Sequence, residues 1–142
     1  MLPLSRRVAF FLLSSFMAVG CATTPASDPN YKPSRGQSGK DVIWIPTPEG
    51  LIEKMLNAAK VTDQDRLFDL GAGDGIIAIT AARKFGAQSV GIEYNPDMAQ
   101  FARRKVAEAG VSDKVRIITG DIFKEDFSAA TVVTLYLMPQ LN

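Results

Sequence analysis

Three glycines at alternate positions, Gly71, Gly73 and Gly75, follow the acid Asp69 at the end of the apolar run Leu67-Phe68-Asp69-Leu70. An apolar helical pattern begins at once with Ile76, Ile77 and Ile79. A strand that breaks into a glycine turn and then a helix leaves main-chain N–H groups unpaired at a helix start, where partial positive charge collects. Glycine lets the chain bend through positive φ and lets a ligand lie against the backbone. Such a turn is suited to holding a nucleotide-like or carboxylate-bearing ligand. Glu93 closes the next apolar run, Ser89-Val90-Gly91-Ile92, 22 positions after Gly71. An acid at the end of a second strand, about 20 residues on, is where a ribose diol is gripped, because one carboxylate accepts from both hydroxyls.

The spacing separates two ligand classes. The dinucleotide fingerprint G-x-G-x-x-G needs a small third residue for helix–strand packing. Counted from Gly71 that position is Ile76, which is bulky, and the spacing is G-x-G-x-G. A nicotinamide oxidoreductase is therefore disfavoured. Asp69 to Gly75 instead resembles motif I of the class I S-adenosylmethionine-dependent methyltransferases.

From about Ile45 to Asn142 the chain is similar to bacterial relatives of the mitochondrial lysine methyltransferases that act on the ATP synthase c-subunit. The resemblance is carried by Pro46-Thr47-Pro48, the Asp69–Gly75 motif, Glu93-Tyr94-Asn95-Pro96, Gly120-Asp121, and Thr134 through Leu141. It implies S-adenosyl-L-methionine as cofactor, with Thr47, Asp69, Gly71, Gly73, Gly75, Glu93, Asp121 and Ile122 around it. Asp121 would meet the adenine amino group and Ile122 the ring, while Trp44 would line the pocket or pack in the core. Tyr136, Pro139 and Gln140 would orient a methyl acceptor, with a protein lysine as the leading acceptor. The resembled fold has seven strands and this chain supplies four, which reads as a C-terminally truncated form. A small-molecule methyltransferase and a non-catalytic, degenerate cofactor-binding lipoprotein domain are the alternatives.

The elements that must position these residues follow from pattern. Thr47-Pro48-Glu49 reads as a helix start, with Thr47 as N-cap, and Leu51, Ile52, Met55, Leu56 and Ala59 share one face. The glycine loop opens a helix from about Gly75 to Phe85, stopped by Gly86. Strands are expected at Leu67–Leu70, Gln88–Glu93, Val115–Thr119 and Ala130–Leu137. Asn95-Pro96 opens a helix to about Ala109, with Met98, Phe101, Ala102 and Val106 toward the sheet, and Arg103, Arg104 and Lys105 on a solvated face. Short apolar strands alternating with helices predict an α/β fold, a Rossmann-like parallel sheet with helices on both faces. Crossover handedness gathers the strands' carboxyl ends on one side, where open sheets bind ligands.

Composition narrows the rest. The 142 residues hold 16 basic and 15 acidic side chains, and no His. One domain fits that length. Near-neutral charge gives no basic footprint for nucleic acid. His-based catalysis and His metal sites are excluded, and no metal site is expected. The single cysteine, Cys21, excludes an internal disulfide.

Arg6 and Arg7 precede a mostly apolar run, Val8 to Val19, which is too short for a comfortable membrane span. The run ends in Ala18-Val19-Gly20-Cys21, which resembles a bacterial lipobox. Residues 1–20 are then a lipoprotein-type signal peptide, and Cys21 is a lipidation site. Residues 21–40, rich in Pro, Ser, Thr and Gly, read as a flexible linker, and residues 41–142 as an incomplete methyltransferase domain. The product would be membrane-anchored in the bacterial cell envelope, facing outward. The alternative is cytoplasmic, if the segment is not a working signal.

Overall fold

The computed structural model describes residues 28–139 and 141; Cys21, the signal segment, the first part of the linker and Gln140 lie outside the described residues. The helices are α1 (Glu49–Ala58), α2 (Ile76–Thr80), which continues as π-helical turns over Ala81–Phe85, and α3 (Pro96–Glu108). The strands are β1 (Arg66–Leu70), β2 (Gln88–Glu93), β3 (Val115–Thr119) and β4 (Val132–Leu135). They form one parallel sheet in the order β3-β2-β1-β4. This is the Rossmann-like sheet expected from the pattern. The order reverses between β1 and β4, so the carboxyl end of β1 stands at the switch point of the sheet.

Leu67, Ser89 and Val115 are in register and therefore share a face, as do Phe68, Val90 and Arg116 on the other side. On the Leu67 face, Ala78, Ile79 and Ala82 pack with Ala99, Ala102, Val106, Val115 and Ile117. Beside them Ile52 and Leu56 of α1 close over Leu67, Ile77 and Ala81. Each fully buried Leu or Ile there contributes about 1.5–3 kcal/mol relative to leaving it exposed. All three helices of the described residues lie on this face, not on both faces as the pattern suggested, because the one connection that crosses the other face forms no helix. The Phe68 face is covered among the described residues by the connection 120–131, where Ile122, Phe127 and Ala130 pack on Phe68, Leu70 and Ile92. That connection returns from β3 to β4 with no helix of its own.

Local chemistry explains most boundaries. Asn95 caps α3, its side chain accepting from the N–H groups of Asp97 and Met98, with Pro96 at the first helical position. At α1 the cap differs from expectation. Pro48 takes the N-cap position, its carbonyl accepting from Leu51 and Ile52, and no side chain caps the helix. Thr47 is thereby left free of capping duty and lines the ligand cavity described below.

Two expectations about surface segments change. Where composition suggests an unpacked linker, residues 28–40 lie against α3 and reach Asp121. Tyr31 meets Phe101 edge-on at 6.4 Å, and Arg104 Nη2 donates to the Tyr31 carbonyl at 2.8 Å. Phe101 accordingly turns from the sheet toward Tyr31. The basic run of α3 is not merely solvated either: Arg103 donates to the Ile117 carbonyl and to Thr119 Oγ1, and Lys105 pairs with Asp74 at 2.5 Å.

Candidate ligand site at the glycine loop

β1 ends at Leu70 and the chain turns at once. The N–H groups of Gly71 and Ala72 both donate to the Ile92 carbonyl, at 3.0 and 2.9 Å, which fastens the loop to the end of β2. Gly73 N–H donates to Glu93 Oε2 at 2.9 Å, and Asn95 N–H donates to Glu93 Oε1 at 2.8 Å. One carboxylate thus ties the glycine loop to the start of α3. Burial raises the Glu93 pKa, opposed by these backbone donors.

Gly73 has φ +53, and a Cβ there would stand 2.6 Å from Trp44 Nε1. The position needs glycine on both counts, backbone conformation and room. Gly75 serves another purpose. It lies against Ala102 of α3, 3.3 Å from where its Cβ would be, and so sets helix packing rather than a cavity wall.

Asp69 is 1% exposed. Thr134 Oγ1 donates to its Oδ1 at 2.7 Å across the β1–β4 pair, and Oδ2 has no partner among the described residues. Burial, with the nearby charges of Asp74 and Glu93 adding to it, pushes the Asp69 carboxyl up to about 7 despite the Thr134 bond. From sequence, Thr134 was named only as the start of the resembling stretch Thr134 through Leu141 and was given no part in the site. The signal was available, since an acid inside a buried strand needs a hydrogen-bond partner, and Thr134 is the polar residue within the apolar fourth strand.

Above the loop is a partly open cavity of about 120 Å³. Its lining includes Thr47, Gly71, Gly73, Glu93, Asp121, Ile122 and Tyr136, residues named from sequence and now gathered from five segments. Asp69 and Gly75 lie behind the loop, and Pro139 is outside the lining. The lining also contains Lys40, Trp44, Tyr94 and Phe123. Of these, Trp44 was named from sequence as a pocket or core residue; the other three were not assigned to the site. Lys40 Nζ sits 3.0 Å from Asp121 Oδ2, 5.1 Å from the centre of the Tyr94 ring and 5.8 Å from that of Phe123. Asp121 Oδ1 accepts from Phe123 N–H, and with Lys40 that bond holds the Asp121 pKa low.

Residues 69–142 match the family model described as ANTKMT methyltransferase domain. A protein-lysine N-methyltransferase from Saccharolobus islandicus is 41% identical over 102 residues, covering 71% of this chain and 63% of that protein. The human lysine N-methyltransferase of the ATP synthase c-subunit is 31% identical over 98 residues, covering 69% of this chain and 41% of that protein. A crystal structure titled as an RNA methyltransferase from Salinibacter ruber, in complex with S-adenosyl-L-homocysteine, superposes with a TM-score of 0.67 at 52% identity. The match covers 68% of this chain and 63% of that one. The chain therefore spans less than two thirds of the length of each of these relatives.

Proposed function

The chain belongs to the family of ANTKMT methyltransferase domains, and on that premise we propose that it is an S-adenosylmethionine-dependent methyltransferase whose acceptor is a protein lysine. The observation that carries the reading is the Gly73–Glu93 bond at the switch point of the sheet. A bare backbone loop and a carboxylate with spare lone pairs face one cavity, the donor and acceptor set that a nucleoside with an amino-acid tail requires.

The residues fit that cofactor. Gly73 bares the backbone at the cavity and lets the Trp44 indole lie against it where a Cβ would clash. Glu93 has lone pairs left for two ribose hydroxyls after accepting two backbone N–H groups. Asp121 offers an acceptor for an adenine amino group, and Ile122 an apolar wall. When bound, the cofactor supplies an electrophilic methyl group on a sulfonium. The chain's own contribution is to position the acceptor in line and to exclude water. Tyr136 lies at the carboxyl end of β4 beside the loop, where it orients the acceptor; Pro139 and Gln140 follow it in sequence. A lysine acceptor must arrive as, or become, the neutral amine.

Two relatives are named for protein lysine and one for RNA. The net charge of +1 favours protein, since RNA binding needs a basic face. Attachment to a membrane through Cys21, outward from the envelope, is part of the same proposal and is supported by the lipobox pattern alone. Calorimetry with S-adenosylhomocysteine and with NAD tests the cofactor: binding of the first and not the second is expected. Transfer of labelled methyl from S-adenosylmethionine to lysine-bearing protein, and none to RNA, is expected for the acceptor. Label on RNA alone would replace the lysine assignment.

A further inference from the structure

Residues 36–44 form a small hairpin over the cavity. Gly36 N–H donates to the Trp44 carbonyl at 2.8 Å, Trp44 N–H to Gln37 at 2.9 Å, and Gly39 N–H to Val42 at 2.8 Å. The root of the hairpin lays Trp44 over Gly73. The tip carries Lys40, whose ammonium reaches Asp121 and hovers between Tyr94 and Phe123. Those two rings are exposed, at 52% and 68%, and follow Glu93 and flank Asp121 at the ends of β2 and β3. The hairpin thus touches both ends of the cavity, the glycine loop through Trp44 and the acid assigned above to the base through Lys40.

The hairpin leaves little room beneath it, although the cavity stays partly open to solvent. Pockets for ligands of this size hold roughly 300–1,000 Å³, against about 120 Å³ here. Lys40 holds Asp121 Oδ2 while Phe123 N–H holds Oδ1, so an adenine amino group arriving at Asp121 competes with the ammonium for the same carboxylate. The fastening is of a releasable kind. The Lys40 and Asp121 side chains are 36% and 14% exposed, and ion pairs and cation–π contacts at such sites are weak and screened by salt.

We propose that Lys40 is a latch: its contact with Asp121 holds the 36–44 hairpin shut, and ligand entry and the Lys40–Asp121 contact are mutually exclusive. This rests on the reading of the cavity as a cofactor site. The apparent affinity is then reduced by the fraction of molecules that are closed. Freeing the hairpin should raise affinity by about three- to tenfold, the range a weak pair can supply.

The test uses the whole chain, its variant Lys40→Gln, and S-adenosylhomocysteine as probe. Trp44 is the single tryptophan, so quenching of its emission by acrylamide reports the hairpin without any ligand. Lys40→Gln should bind about three- to tenfold more tightly than the parent, and ligand-free Trp44 should become more accessible to quencher. The parent should approach the variant when salt is raised from about 0.01 to about 1 M, which shortens the screening length from roughly 30 to 3 Å. A parent that binds, with a variant that binds no better or with unchanged quenching, overturns the latch while sparing the cofactor reading. Failure of both chains to bind overturns the cofactor reading and, with it, the latch.

Discussion

Thr134 reaches Asp69 across the β1–β4 pair, its hydroxyl 2.7 Å from Oδ1, and this is the bond that makes a fully buried carboxyl tolerable inside the sheet. The second oxygen has no partner among the described residues, and the group titrates near 7 instead of near 3.8. A raised folded pKa means that the folded chain keeps a proton which the unfolded chain has released. The stabilisation is complete below pH 3.8, declines through the interval, and is gone above about 7. Asp69→Asn removes the titration, and its amide oxygen still accepts from Thr134. The parent should lose up to roughly 4 kcal/mol more than Asp69→Asn between pH 4 and pH 8. Urea unfolding at several pH values measures this. Glu93 is raised mainly by its own burial, which both proteins share, so only its charge coupling to Asp69 remains in the difference. Parallel pH profiles for the two proteins would falsify a buried, neutral Asp69.

Glu93 holds the loop as well as facing the cavity. Both of its oxygens accept a backbone N–H, from Gly73 and from Asn95. A glutamine there would set its NH₂ against one of those donors. Glu93→Gln should therefore lose nearly as much affinity for S-adenosylhomocysteine as Glu93→Ala, about ten- to 150-fold, for bonds to a charged partner of roughly 1.5–3 kcal/mol. Calorimetry on the three proteins decides it. Parent-like affinity in Glu93→Gln would show that neither loop orientation nor ribose contact depends on the charge.

What was readable from sequence was the chemistry that acts over a few residues. Asn95-Pro96 caps α3 because cap and N–H donors are neighbours, and the glycine spacing and Glu93 sit in the local order strand, turn, helix. The contacts that complete the cavity join distant residues. Lys40 meets Asp121 81 positions away, and Thr134 meets Asp69 65 positions away. Composition averaged Tyr31 and Lys40 into a polar linker, although one aromatic and one cation suffice to seat that stretch on α3 and the cavity. Thr47 was misread as a cap because Pro48 can occupy either of two adjacent positions, and the sequence pattern does not distinguish them.

Attachment through Cys21 is open to direct test, motivated by Ala18-Val19-Gly20-Cys21. Replacing Cys21 with Ser should move the chain from the membrane fraction to the soluble fraction on cell fractionation. The acyl chains it removes contribute roughly 0.8 kcal/mol per buried CH₂. Membrane association that persists unchanged argues against lipidation, and an uncleaved apolar segment at Val8 to Val19 would then be the anchor.

Gly73 gives the sharpest separation between a ligand loop and a mere tight turn. Its φ of +53 strains any β-branched residue, and a Cβ would lie 2.6 and 2.9 Å from Trp44 Nε1 and Cδ1. Gly73→Val must push the indole aside and project a methyl group into the cavity. Binding of S-adenosylhomocysteine should be abolished, Trp44 emission should shift, and helical content by circular dichroism should hardly change. A glycine serving only the turn predicts a different result. The variant would lose roughly 1–3 kcal/mol of stability to backbone strain, and would bind normally in whatever remains folded. Melting and affinity measured on the same sample distinguish the two. A variant that melts lower but binds as the parent does would remove the loop from the site, and with it the contact between Gly73 and Glu93 on which the methyltransferase reading is built.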